Sequence, residues 1–315
     1  MIGLDRAIDF LTEPRAPTHI VQWYARRMRF PASAPHTNEP PDLCLTFDVE
    51  QDLGSLGTPE YSETCRPFLE WLAERTAADG WRTTLFVQGS IVSTFAARLR
   101  ELAPAHDIGL HGYYHELWGR PLWFTRQPGT PVPVRHERLG QGICAFDDAG
   151  LARPCLWRSP NLVSDDATDR MIADAGFTLD SSAPSFRGAL PLIRRHGSVV
   201  EIPVSANPRP RIRRRYGVPT WARYDLLNTP NLLGFSDSEL RATIDTILAC
   251  QDAAGCRRHL VVLAHPWEFA DIRHPGCGRE NLDRLIERVE FVRAEFNAHL
   301  CALRDLVLPA SVSGR

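Results

Sequence analysis

His111 and His115 lie four positions apart in His-Gly-Tyr-Tyr-His. Such a pair can face one metal ion if the segment turns once; alone it is as consistent with a structural or surface role. Three acids, Asp48, Glu50 and Asp52, follow a short apolar run. Acids at i and i+2 project to the same side of an extended strand end, so Asp48 and Glu50 can work together. They could equally cap the next helix or face solvent. Two neutral imidazoles plus one carboxylate make a catalytic zinc set that leaves positions open for water and substrate. A third histidine, His265 in Leu-Ala-His-Pro-Trp-Glu-Phe, has the side chain that exchanges protons near neutral pH. A buried, hydrogen-bonded core histidine is the alternative.

The elements that must position these residues can be read from periodicity. Short apolar runs predict strands at 43–48, 83–88, 107–111, 156–158, 178–180, 199–204 and 259–265. Amphipathic stretches between them predict helices at 64–78, 90–103, 134–149, 165–175, 236–254 and 279–297. Strands alternating with helices imply parallel βαβ units, and about seven of them suggest an α/β barrel, distorted or incomplete. In parallel α/β folds chemistry gathers at the carboxyl ends of the strands. Asp48, His111, Arg158, Asp180 and His265 each end a predicted strand. If the strands close into one barrel, the five share one rim.

Residues 1–42 read as an N-terminal helical extension and linker, 43–305 as the barrel, and 306–315 as a tail. Within the extension, Trp23 and Tyr24 sit beside Arg26, Arg27 and Arg29, which suits either an interfacial helix on anionic lipid or a helix packed on the outside of the barrel. Pro31, Pro35, Pro40 and Pro41 mark the linker. The segments 117–133 and 206–234 are too long for ordinary connections and read as functional loops or lids.

Thirty-six basic and 38 acidic residues give a net charge of −2, which argues against a dedicated nucleic-acid binder. Every basic residue is arginine. No apolar run is long enough to cross a bilayer, and the N-terminus lacks the apolar block of a signal peptide. The expected location is therefore the cytoplasm. The eight cysteines include no Cys-x-x-Cys pair, which excludes zinc-ribbon and thioredoxin-like sites and predicts reduced, largely buried thiols.

Taken in order, Thr46-Phe-Asp48-Val-Glu50, His111-Gly-Tyr-Tyr-His115, Arg158-Ser-Pro160-Asn, Asp180-Ser-Ser and Leu263-Ala-His265-Pro266 resemble the five motifs of the polysaccharide deacetylases, carbohydrate esterase family 4 with the NodB-homology fold. The resemblance covers roughly residues 43–269. It implies a distorted (β/α)7 barrel with one divalent metal, zinc being the default for such ligands. It makes Asp48 the general base and His111 and His115 metal ligands. Arg158 would hold Asp48, His265 would protonate the leaving amine, and Asp180 would orient His265. Trp267, Tyr113 and Asn161 fall where the substrate pocket would be.

Two departures matter. The commonest first motif has a metal-binding aspartate where this chain has Val49, so Glu50 is the expected third ligand, with Asp52 as a substitute. Asn161 stands where a tyrosine usually ends the third motif. Both point to a divergent branch. The implied activity is removal of an N-acyl group, acetyl by default, from a carbohydrate. A cytoplasmic location favours a lipid- or nucleotide-linked sugar in surface polysaccharide or glycolipid synthesis, with peripheral contact at the inner membrane face. The segments 107–111, 185–190 and 201–204 are more loosely similar to deformylases of lipid-linked aminoarabinose, and Arg209, Arg211, Arg213, Arg214 and Arg215 could meet a phosphate. A small non-sugar amide, or a degenerate barrel that only binds carbohydrate, are the alternatives.

Overall fold

The structure, a computed structural model, describes residues 25–26, 28–29, 39–58, 61–121, 127–215 and 218–307. Seven parallel strands form the frame: β1 (Asp42–Val49), β2 (Thr84–Val87), β3 (Asp107–Leu110), β4 (Leu156–Trp157), β5 (Leu179–Asp180), β7 (Val199–Glu201) and β10 (His259–Ala264). Their order across the sheet is β10-β1-β2-β3-β4-β5-β7, with β6 (Arg194–His196) antiparallel at the β7 edge and β11 (His299–Leu300) beside β1. The helices α1 (Cys65–Asp79), α2 (Val92–Leu102), α3 (Val132–Asp148), α4 (Asp166–Asp174), α5 (Thr229–Gly234), α6 (Asp237–Ala253) and α7 (Asn281–Phe296) join or flank the strands. The sheet curls into an incomplete barrel. Its seam between β7 and β10 is bridged by the Ser205 N–H donating to the Val261 carbonyl and by a parallel bridge between Asn228 and Leu263.

Strand parity explains the layers. β1 and β10 are buried almost throughout, as parallel strands covered on both faces must be. Leu43, Leu45, Phe47 and Val49 of β1 join Leu85, Val87, Leu260 and Val262 in the layer under the helices. Cys44, Phe86, Leu156, Leu179, Val200 and Val261 fill the barrel interior. Residues that share the parity of this inner set and lie just past it therefore point into the barrel mouth. Local signals fix the helix ends: Gly80 stops α1 in the left-handed conformation, Asp165 caps α4, and Ser236 with Glu239 forms a capping box on α6.

The described residues of the segment 206–234, expected as a functional loop or lid, include regular elements. These are a two-stranded hairpin, β8 (Arg211–Arg215) and β9 (Val218–Arg223), followed by α5. Its arginine-rich strands lack the apolar alternation that marks a half-buried strand. Residues 1–24, with Trp23 and Tyr24, and the linker prolines Pro31 and Pro35 lie outside the described residues. Arg26, which is described, donates to the carbonyls of Gly188 and Pro208 and lies 4.9 Å from the Tyr224 ring centroid, so that helical piece packs on the barrel. All eight cysteines are free. Among the described residues no helix is long and apolar enough to cross a membrane.

Candidate active site

Parity delivers one set of side chains to the barrel mouth. On β1, Asp48 and then Glu50 follow Cys44 and Thr46 on the inner face. Arg158 follows Leu156 of β4, Ser181 follows Leu179 of β5, and His265 follows Val261 and Leu263 of β10. His111 enters from the end of β3. Val49 has the opposite parity and belongs to the helix-facing layer, so Glu50 supplies the carboxylate.

Glu50 Oε2 lies 3.0 Å from His111 Nε2 and 2.7 Å from His115 Nε2, and all three residues are buried. Among the described residues they form the one group of three donors close enough to hold a metal. The His111 Nδ1 sits 2.9 Å from the Arg158 carbonyl oxygen, so Nδ1 carries the proton and Nε2 turns an electron pair toward Glu50 unless the ring is charged. A carboxylate oxygen this near two imidazole nitrogens demands positive charge between them, either protons or a cation. The residues therefore fit a divalent metal, and the nitrogen-plus-carboxylate set suits zinc. Burial works to raise the Glu50 carboxyl, but His115 and His111 outweigh it and hold it well below the usual range. Burial works to lower His115, and Glu50 reverses the effect, leaving it raised. Asp52 lies apart from the trio. Its Oδ1 accepts from the backbone N–H and hydroxyl of Thr64 at the head of α1.

Asp48 and His265 flank this group. Asp48 Oδ1 pairs with Arg158 at 2.8 Å, and its Oδ2 lies 3.7 Å from His111 Nε2 and 3.9 Å from His265 Nε2. Arg158 is fully buried. It donates to the Thr46 hydroxyl at 2.9 Å and to the Ser181 hydroxyl at 2.8 Å, and its guanidinium lies over the Phe86 ring at 4.3 Å. A buried guanidinium with this many partners aims one Asp48 oxygen and leaves the other facing the mouth.

The acid beside His265 is a correction to the sequence analysis. Asp180 was expected there. Leu179 points inward, so Asp180 points outward, where its Oδ1 accepts from the Ser182 N–H at 3.0 Å and from the Ser182 hydroxyl. Burial pushes the Asp180 carboxyl up to about 8, helped by the nearby carboxylates of Glu201 and of Asp169 on α4. The carboxylate next to His265 is Glu268, 3.2 Å from Nδ1, and it also accepts the His265 backbone N–H at 2.8 Å. Burial works to lower His265, but Glu268 first, then Glu50 and Asp48, raise it to about 9. Glu268 lies three residues on, across the 3-10 turn Pro266–Phe269, and the three-residue spacing of a capping box is the signal that could have found it.

The three expected pocket residues separate. Trp267 stacks on His265, with ring centroids 5.0 Å apart, and donates its indole N–H to Glu50 Oε1 at 3.3 Å. Asn161 is half-buried beside the trio and accepts from the Ser55 hydroxyl at 2.9 Å, with that hydroxyl 3.5 Å from His115 Nδ1. Tyr113 turns to the α3 side, where its ring meets Tyr114 at 4.6 Å and Arg138 at 5.6 Å. Ser55, Thr46 and Ser181 are site contacts that the sequence analysis did not single out.

The backbone carries strain at the same place. Among the described residues five non-glycine residues have positive φ: His115 of the trio itself, Leu53 before Gly54, the adjacent pair Asn161 and Leu162, and Asn297 after α7. Gly54 also has φ +54, and a Cβ there would lie 2.8 Å from Glu50 Oε1. Strain of this kind persists where the surroundings over-determine it, and it concentrates at functional sites.

No protein-family model and no curated protein matches the sequence. Solved structures do match. A protein described as a polysaccharide deacetylase from Mycobacterium smegmatis superimposes with a TM-score of 0.56 at 21% identity, covering 90% of this chain and 98% of that one. The chain has the fold of a polysaccharide deacetylase. A family 4 carbohydrate esterase from Streptomyces lividans aligns at 16% identity and TM-score 0.44, covering 83% of this chain and 91% of that one. A family 4 pseudoenzyme from Bacillus anthracis aligns at 10% identity and TM-score 0.48, covering 87% and 67%. The (β/α)7 frame expected from the sequence is thus the frame of this deacetylase fold.

Proposed function

We propose that the chain is a metal-dependent hydrolase that removes an N-acyl group from a carbohydrate. The observation that carries this is the convergence of Glu50, His111 and His115 with Asp48 on one flank and His265 on the other. A divalent cation, zinc by the donor chemistry, would be held by Glu50, His111 and His115 and would supply the charge that acidifies water and polarises an acyl carbonyl. Asp48 Oδ2 accepts the proton of the attacking water, while Arg158 keeps the carboxylate aimed. His265 Nε2–H gives its proton to the nitrogen as the carbon–nitrogen bond breaks, because an amine anion leaves poorly. Glu268 keeps His265 charged for that step. Water and amide thus become a carboxylate and a protonated amine, and the proton taken by Asp48 balances the one given by His265, with no other reactant.

For the substrate, we infer a sugar bearing phosphate, as in a nucleotide- or lipid-linked sugar. Residues 202–224 contain six arginines and no acid. The base of the hairpin they form, Ala206, Tyr224 and Leu226, packs against Leu162 and Leu263, close in sequence to Asn161 and His265. Arg211 and Arg223 brace that base on Asp225 at 2.6 and 3.6 Å. Counting Asp225, residues 202–225 carry a net charge of +5.

The test is release of acetate or formate by zinc-loaded protein from N-acylated amino sugars, free and as nucleotide diphosphate conjugates. The expected result is a lower KM for the conjugate, with the gap narrowing as salt rises. Equal KM values would remove the phosphate from the proposal. Bound metal with no acid released from any sugar would leave a barrel that only binds carbohydrate.

A further inference from the structure

Trp267 is joined directly to the Glu50 carboxylate. The two oxygens of Glu50 have separate partners. Oε2 faces His111 and His115 at 3.0 and 2.7 Å. Oε1 accepts the Trp267 indole N–H at 3.3 Å. The indole is held on both sides. One face stacks on His265 with rings inclined by 25°, and the His274 ring meets it edge-on at 5.9 Å. The turn beneath it is pinned by Glu268, whose side chain accepts the His265 N–H and whose carbonyl accepts from Asn281 at 2.9 Å.

We propose that Trp267 is a positioning residue for Glu50: its N–H occupies Oε1, so that Glu50 presents Oε2 alone to a divalent cation. This rests on the metal-centre proposal above. A glutamate carries one more rotatable bond than an aspartate, and a site that uses one needs something to fix its carboxylate. An indole N–H suits the task because it only donates and cannot compete for the cation. Donors behind a metal ligand are worth about 10–100-fold in metal affinity. The same ring stacks on His265, so one side chain sets the spacing between the metal carboxylate and the proton donor.

The test is zinc affinity by competition with a chromophoric chelator, on metal-stripped wild type and Trp267→Phe. Phenylalanine keeps a ring against His265 and removes the N–H. Affinity should fall about tenfold or more, with far-UV circular dichroism and Tm unchanged. Glu50→Asp serves as a second background. Its shortened carboxylate cannot reach the indole, so adding Trp267→Phe to it should cost little more. Wild-type zinc affinity in Trp267→Phe, or a raised KM alone, would overturn the proposal and return Trp267 to the pocket wall. No zinc binding by wild type would instead overturn the metal-centre proposal itself, before the variant is reached.

Discussion

The two halves of the strand rim carry the same residue types and use them in opposite ways. On β1, β3, β4 and β10 the residues ending the strands have inner parity, and carboxylates meet nitrogen partners: Asp48 meets the Arg158 guanidinium, and Glu50 meets the His111 and His115 imidazoles. On β5 and β7, Asp180 and Glu201 are register partners of outer parity. Their neighbours are Asp169, His196 and the Ser182 hydroxyl. Glu50 is consequently held well below the usual carboxylate range, while Asp180 is pushed up to about 8. Burial is common to both, and partners decide the sign. A single step of strand parity separates an acid able to hold a cation from one that stays neutral.

The largest effect should come from removing charge in each half in turn. Asp48→Asn should lower kcat by about 10²-fold or more, the usual worth of a general base, and leave zinc stoichiometry intact. Asp180→Asn should stay within about twofold of wild type in kcat, since the amide can still accept from Ser182 and the group faces away from the mouth. Steady-state kinetics on both variants breaks the comparison if Asp180→Asn is as damaged as Asp48→Asn.

How much of this could be read in advance varied with the length of each pattern. The long apolar runs of β1 and β10 fix their own phase, and Asp48, Glu50 and His265 emerge on the side the alternation predicts. β5 is only two residues, Leu179–Asp180, and no run of that length shows which face its last residue takes. That is why Asp180 was placed beside His265. Glu268 was overlooked for a different reason. Its contact closes within one turn of the chain, so neither a strand end nor a family motif marks it. The hairpin at 211–223 escaped notice because its strands are written in arginine. Trp267 lies against His265 and Glu50, and a tryptophan in sequence does not show whether its face meets a sugar or its N–H meets a carboxylate.

A smaller effect sharpens the half proposed to be catalytic. His265 is raised to about 9, with Glu268 the leading cause after the opposing effect of burial. A proton donor of this kind is active while charged, so kcat should fall as pH rises through about 9. In Glu268→Gln the raised value relaxes toward the ordinary one near 6.5, and the alkaline limb should move to lower pH. Activity near pH 8 should drop about tenfold, with a much smaller loss near pH 6. A uniform loss across the profile would reduce Glu268 to a prop for the turn.

The smallest effect belongs to the other half and is read in stability. Asp180 in the folded state holds its proton up to about 8, whereas an unfolded aspartate loses it near 3.8. Between those values the folded chain binds more protons than the unfolded one, so this group makes stability fall as pH rises. The loss begins above about pH 4 and is complete above about pH 8. Asparagine carries no such cost and preserves the size of the side chain. Asp180→Asn should therefore match wild type in Tm near pH 4 and exceed it near pH 9. Paired thermal melts across that range measure the gap directly. A gap that stays flat with pH would mean that Asp180 ionises freely in the folded chain. The contrast between the two halves of the rim would then rest on geometry alone, with Arg158 and the imidazoles doing no more than filling the space that Ser182 fills on the other side.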